Sequence, residues 1–258
     1  MKLSVVIPAR NEATNIEATI GELSRRLTRE EIVHEIVVVD DGSTDGTPDV
    51  VLRLADRFPG VRLVPNPGPH GFGRAVTKGL GAISGDAVVI VMADGSDDPD
   101  DVVTYYYILR DQAECAFGSR FIAGSRLQDY PRLKLVLNRI GNAVVRWLFG
   151  LRYNDVTNAF KGYRTYVIEG CGPLLSPHFN LTVEIPLKAI VRGYTHAVVP
   201  IGWRNRTSGR SSFHLQEMGS RYLYIILAVW LERLLTKTNC RRSASDAFVP
   251  WTPDDRGV

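Results

Sequence analysis

The sequence predicts an α/β fold built on a mainly parallel sheet with helices on both faces. Three observations predict it. Strand-like segments in the first third of the chain read as continuous apolar runs, segments with helical spacing separate them, and charged or glycine-rich turns follow the strands. Leu3–Ile7 is the first strand, and Pro8 stops it. Glu12–Arg26 has helical spacing, with Ile16, Ile20, Leu23 and the following Leu27 on one face. Glu35–Val39 is a second strand and Asp45–Arg57 a second helix with Val50, Val51 and Leu54 inward. Val61–Val64 is a short third strand, Phe72–Ile83 a third helix and Ala87–Val91 a fourth strand. In such sheets ligands bind beyond the carboxyl ends of the strands, so the informative residues are those just after each one.

Composition narrows the function classes. With 258 residues, 45% hydrophobic and 23% charged, the chain can bury a full core. A net charge of +3 is too mild to argue for nucleic acid, but it suits phosphate-bearing ligands or an anionic membrane surface. Cys115, Cys171 and Cys240 are widely spaced, with neither metal-ligand spacing nor a disulfide framework, which points to a reducing compartment. Met1 leads straight into an apolar strand rather than a signal peptide. Tyr222–Leu231 is apolar or aromatic throughout but half the length a spanning helix needs, so it reads as a core helix or one lying in an interface. Residues 241–258 read as a flexible tail.

The most telling stretch is Met92-Ala93-Asp94-Gly95-Ser96-Asp97-Asp98-Pro99, directly after the fourth strand. Carboxylates crowded at a strand end repel one another unless a hard cation sits among them, and Mg²⁺ or Mn²⁺ brings phosphate oxygens with it. The competing reading is an acidic turn with Asp97 or Asp98 as N-cap before Pro99. Neither a G-x-G-x-x-G after the first strand nor a Walker-type loop is present. Phosphate must then be handled by a cation and by arginine, whose planar fork matches phosphate oxygens.

Six segments in order resemble the inverting family 2 glycosyltransferases, and among them the polyprenyl-phosphate (dolichyl-phosphate) hexosyltransferases. They are Ile7–Glu12, Val39–Thr47, Asn66–Ala75, Gly118-Ser119-Arg120, Asp155–Arg164 and Arg206-Thr207-Ser208-Gly209-Arg210-Ser211. The resemblance implies a GT-A type single domain over residues 1–215, with a nucleotide-sugar half to about residue 117 and an acceptor half after it, followed by a C-terminal amphipathic helical segment over residues 216–240. It implies that Pro8, Ala9, Arg10, Asn11, Glu12, Val39, Asp41, Ala93, Asp94 and Ser96 line the nucleotide-sugar pocket, Asp41 accepting from the base. It implies a divalent cation, Mg or Mn, on Asp94 with help from Asp97, phosphate clamps in Arg120, Arg139 and Arg206, and a helix carboxylate, Glu184, near the acceptor channel. Asp155 and Lys161 are expected to order the acceptor loop, and Glu184 reads as readily as a partnered structural carboxylate.

Two departures stand out. Met92 sits where the family has a first metal-binding aspartate, so either Asp94 holds the cation almost alone, helped by Asp97 through water, or cation dependence is weakened; and Ser212 stands where lysine is usual. The implied reaction moves mannose or glucose from a nucleotide sugar such as GDP-mannose or UDP-glucose to a polyprenyl phosphate with inversion, at the cytoplasmic face of a membrane and with peripheral membrane contact. An acceptor phosphate is already an anion and needs no general base. Two alternatives stay open: a soluble enzyme acting on a small-molecule hydroxyl, which needs a base such as Glu184 or Asp97, and an inactive nucleotide-sugar binder.

Overall fold

β1 (Leu3–Ala9) is buried along its whole length, as a strand covered on both faces must be. The chain continues through α1 (Ile16–Arg29), β2 (His34–Asp40), α2 (Thr47–Arg57), β3 (Val61–Pro65), α3 (Phe72–Leu80), β4 (Ala87–Ile90), α4 (Pro99–Asp111) and β5 (Cys115–Ser119). There follow β6 (Arg126–Gln128), α5 (Arg132–Phe149), β7 (Lys161–Arg164), α6 (Thr165–Gly170), α7 (Leu181–Val191), β8 (His196–Pro200), β9 (Gly202–Arg204), α8 (Leu215–Leu235) and β10 (Phe248–Val249). This computed structural model describes residues 1–128, 130, 132–204, 215–235 and 247–251.

The main sheet has the order β10-β8-β5-β7-β4-β1-β2-β3. Its pairings are parallel except at β7, which runs antiparallel to both β4 and β5. Alternate residues of the strands feed two cores. Val5, Ile7, Ile36, Val38 and Val89 pack with α1, α2 and α4, while Val6, Val37, Val39, Val88 and Ile90 pack with α3, α5 and α7. Each fully buried branched or aromatic side chain contributes about 1.5–3 kcal/mol. β6 and β9 form a separate parallel pair beside the sheet's carboxyl end.

Helix starts differ from the periodicity for local reasons. α1 begins at Ile16 rather than Glu12, because Asn11 takes a left-handed φ of 58° and the next amides go elsewhere. Glu12 N donates to Thr47 Oγ1 and Ala13 N to Asp45 Oδ2, zipping the loop after β1 to the loop after β2. α2 begins at Thr47 because the Asp45 carboxylate accepts from the Thr47 amide at 2.9 Å. α3 ends at Leu80 with Gly81 as its cap. Asp98 is the N-cap of α4 and accepts from the Asp100 amide.

The Tyr222–Leu231 stretch lies within α8, and it divides: Ile225 and Val229 are buried, whereas Leu223, Tyr224, Leu227 and Leu231 are exposed. Part of the expected tail is ordered as β10, where Phe248 pairs with His196 on β8 and the Ala247 carbonyl accepts from the His196 amide at 2.8 Å. Among the described residues no helix is long and apolar enough to cross a membrane.

Candidate active site

The sheet register brings three loops level. Ala9 pairs with Asp40 and Val6 with Ile90, and Val91 N donates to Val6 O, so the loops after β1, β2 and β4 open on one side. Asn11 Oδ1 accepts from the Thr44 amide at 2.8 Å, and the Asn11 amide donates to Ser43 Oγ at 3.0 Å. Pro8, Ala9 and Val39 are buried strand-end residues, Arg10 and Asn11 are exposed, and Glu12 is half-buried. Pro8, Ala9 and Val39 can therefore back a site at the strand ends, and Arg10 is an exposed cation next to them.

Asp41 is buried and fixed from three directions. Oδ1 accepts from Asn66 Nδ2 at 2.6 Å and His70 Nδ1 at 3.3 Å, and Oδ2 accepts from the Gly71 amide at 2.8 Å. It ties the loop between β3 and α3 to the end of β2. Gly42, at φ 73°, lies flat under the His70 ring, where a side chain would overlap the imidazole. A lone histidine gave no signal in the sequence, because its partner lies 29 residues away.

The acidic turn after β4 gives its carboxylates different surroundings. Asp94 is partly exposed and accepts from the Ser96 amide at 3.2 Å. Ala93 and Ser96 are buried; the Ala93 carbonyl accepts from Thr19 Oγ1 and the Ser96 carbonyl from the Arg204 amide. Asp97 turns inward, and its Oδ2 accepts from the Met92 amide at 2.8 Å. Asp97, expected to help Asp94, is thus buried and engaged by a backbone amide, and among the described residues no three His, Cys, Asp or Glu side chains converge on a metal position. One partly exposed carboxylate nevertheless fits a hard cation that takes its other ligands from water and a substrate diphosphate.

Burial raises the Asp97 carboxyl to about 8 and that of Asp101, which accepts from the Gly202 amide, to about 7. A carboxyl with a raised folded-state pKa binds more protons folded than unfolded. Stability therefore falls as pH climbs from about 4 towards 8, by up to about 1.4 kcal/mol per pH unit for each group. Asp97→Asn, which keeps an acceptor for Met92, is expected to flatten that fall and to be about 2 kcal/mol more stable than wild type at pH 8. Urea unfolding at pH 5 and pH 8 measures it, and equal slopes in the two proteins would refute it.

A second network joins β5 to the loop before β7. Arg120 Nε and Nη2 both donate to Asp155 at 2.7 Å, and Nη1 donates to Tyr130 at 3.3 Å. Arg120, expected as a phosphate clamp, is 7% exposed, and the nearby Asp155 charge holds its guanidinium protonated against the opposing effect of burial. The turn is further pinned by Ser119 Oγ on Asn154 and by Tyr153 Oη on the Gly118 carbonyl. Gly118 is obligatory here, since a side chain would overlap the Tyr105 hydroxyl.

Lys161 is fully buried, and its ammonium is caged by the Val156, Asn158 and Thr182 carbonyls. Burial draws its pKa down to about 7, while the Asp155 charge pulls it up. Glu184 is also fully buried: it accepts from the Leu175 and Ser176 amides and from Lys188, each at 2.7 Å. Arg139 is exposed on α5, with its guanidinium 5.3 Å from the Phe121 ring that also flanks Arg120. Arg206 and the rest of its motif lie outside the described residues.

The glycosyl transferase family 2 profile matches residues 4–172. This chain belongs to glycosyl transferase family 2. The polyprenol monophosphomannose synthase of Mycolicibacterium smegmatis is 31% identical over 80% of this chain and 79% of its own length. The undecaprenyl-phosphate mannosyltransferase of Micrococcus luteus is 26% identical over 82% of this chain and 87% of its own. The dolichol-phosphate mannosyltransferase of Pyrococcus furiosus is 29% identical, and the match spans 59% of that longer protein. Among solved structures, glucosyl-3-phosphoglycerate synthase from Mycobacterium tuberculosis, crystallised with Mn²⁺, UDP and phosphoglyceric acid, superposes with a TM-score of 0.67. It covers 90% of this chain and 78% of that one at 22% identity, a likeness of fold.

Proposed function

We propose that this family 2 enzyme transfers a hexose, mannose by preference, from a nucleotide sugar to a polyprenyl phosphate with inversion. The observation that carries this reading is likeness, across four-fifths of the chain, to three enzymes named for polyprenyl-type acceptors. The site's chemistry supports it. A hydroxyl acceptor needs a general base, and the two carboxylates proposed for that work are sequestered, Glu184 in its pairing with Lys188 and Asp97 on the Met92 amide. A phosphate monoester needs none.

In the proposed step an acceptor phosphate oxygen attacks the anomeric carbon in line. The bond from that carbon to the donor's diphosphate oxygen breaks, and the electron pair leaves with the nucleoside diphosphate. Asp41 with its loop holds the base, and Asp94 faces the diphosphate. A divalent cation held there by Asp94 would neutralise charge building on the leaving group. Arg139 is the exposed guanidinium available to the incoming phosphate, whereas Arg120, neutralised by Asp155, holds the Gly118–Arg120 turn in place.

The faces of α5 and α8 suit a lipid-borne acceptor. The two helices pack together and expose Val136, Leu137, Ile140, Val144 and Trp147 on one and Leu223, Leu227, Leu231 and Leu234 on the other, with Trp147 83% exposed. Arg139 and Arg146 beside them would meet anionic headgroups. The protein is expected to float with vesicles containing acidic phospholipid, and Trp147→Glu with Leu227→Glu to abolish flotation while leaving the unfolding midpoint within a few degrees. Undiminished flotation of the double variant would remove the membrane contact from this reading.

The structural neighbour favours one rival, a small phosphorylated acceptor. Labelled GDP-mannose and UDP-glucose, each offered with polyprenyl phosphate and separately with 3-phosphoglycerate, separate the two. Label is expected in the organic phase with polyprenyl phosphate; label on 3-phosphoglycerate alone would establish the rival.

A further inference from the structure

We infer that His70 is a positioning residue for the nucleotide base, acting through Asp41. A carboxylate only accepts, so the 3.3 Å contact between His70 Nδ1 and Asp41 Oδ1 requires the proton on Nδ1. That fixes the imidazole as a donor to Asp41. With Asn66 Nδ2 on the same oxygen, Oδ1 has both lone pairs engaged, while Oδ2 holds only the Gly71 amide. One acceptor position therefore remains on Asp41, on Oδ2, for an N–H of the base.

Two further features make His70 a built part of the site rather than a surface histidine. Its ring lies over Gly42, where any side chain would overlap the imidazole. Its own carbonyl is held by Arg74 Nη1 at 3.1 Å, from the first turn of α3. The ring is 37% exposed and so lines the rim beside the carboxylate. Without it, Asp41 loses one of its two donors on Oδ1, and the aim of Oδ2 rests on Asn66 and Gly71 alone, so the base meets a less firmly held acceptor.

This inference rests on the nucleotide-sugar reading above, and the experiment separates the two. Binding of UDP, GDP and inorganic pyrophosphate, each with Mn²⁺, is measured by calorimetry for wild type, His70→Ala, His70→Phe and His70→Asn. Loss of one hydrogen bond to a charged acceptor predicts that His70→Ala weakens the preferred nucleotide about tenfold. Pyrophosphate affinity is expected to stay within twofold, and in turnover the effect falls on KM rather than kcat. His70→Phe keeps a ring over Gly42 without the donor and is expected to behave like alanine. His70→Asn, whose amide can stand where Nδ1 stood, is expected to recover most of the affinity.

Wild-type nucleotide affinity in His70→Ala and His70→Phe would overturn the inference and leave the donor reading standing. An equal loss of nucleotide and pyrophosphate binding would also overturn it, marking a general loosening of the loop. If wild type bound pyrophosphate but neither nucleotide, the donor reading would fall and His70's role with it.

Discussion

Asp94→Ala is expected to lower hexose transfer by about 10²- to 10³-fold, the range seen when an electrostatic stabiliser of a leaving group is removed. The fold should be untouched, because among the described residues the side chain's one hydrogen bond is to the Ser96 amide at 3.2 Å. Asp94→Asn tests charge against shape: it keeps an oxygen for Ser96 and removes the negative charge that a hard cation needs. Transfer rates at saturating donor, measured over a Mn²⁺ titration alongside thermal unfolding, check both. A variant that keeps wild-type rate would mean that Asp94 does not hold the donor's diphosphate.

The second large effect is on stability. Asp155→Ala is expected to cost about 3–5 kcal/mol, since it leaves the Arg120 guanidinium buried without its counter-charge. It also removes an acceptor from the Arg120 amide, 3.0 Å from Asp155 Oδ2. For a protein whose total stability is about 5–15 kcal/mol this is a large fraction. Urea unfolding measures it. A loss under about 1 kcal/mol would mean that Arg120 swings to solvent, which would return it to the role of phosphate clamp.

These two cases mark the line between what the letters convey and what they hide. The first four strands were legible because parallel strands buried on both faces must be continuous apolar runs, as Val5-Val6-Ile7 and Val37-Val38-Val39 are. The turns after them were legible because ligands lie at strand carboxyl ends, and the structure does bring the Pro8–Glu12, Asp41 and Asp94 loops to one side. β7 was not legible. Lys161-Gly162-Tyr163-Arg164 carries a charge at its start, and three carbonyls around Lys161, those of Val156 and Asn158 in the loop before it and of Thr182 on α7, make that residue fit a buried strand.

The acidic turn shows the same limit at finer scale. Asp94 and Asp97 are chemically alike, and their different fates depend on backbone direction through Gly95, whose φ of 70° redirects the chain. Arg120 reads as an unpaired cation until Asp155, 35 positions later, is seen beside it. His70 carries no signal in the sequence for the same reason, its partner being remote in sequence and adjacent in space. Periodicity reports which residues are buried; it carries no information about which polar groups meet across loops.

On the function proposed above, the cleft beyond β1, β2 and β4 holds a nucleotide sugar. A crystal structure with nucleoside diphosphate and Mn²⁺ tests it most directly. The base is expected against Asp41 Oδ2 and the ion on Asp94 beside the diphosphate. A diphosphate bound away from Asp94, with the Asp41 loop empty, would contradict it.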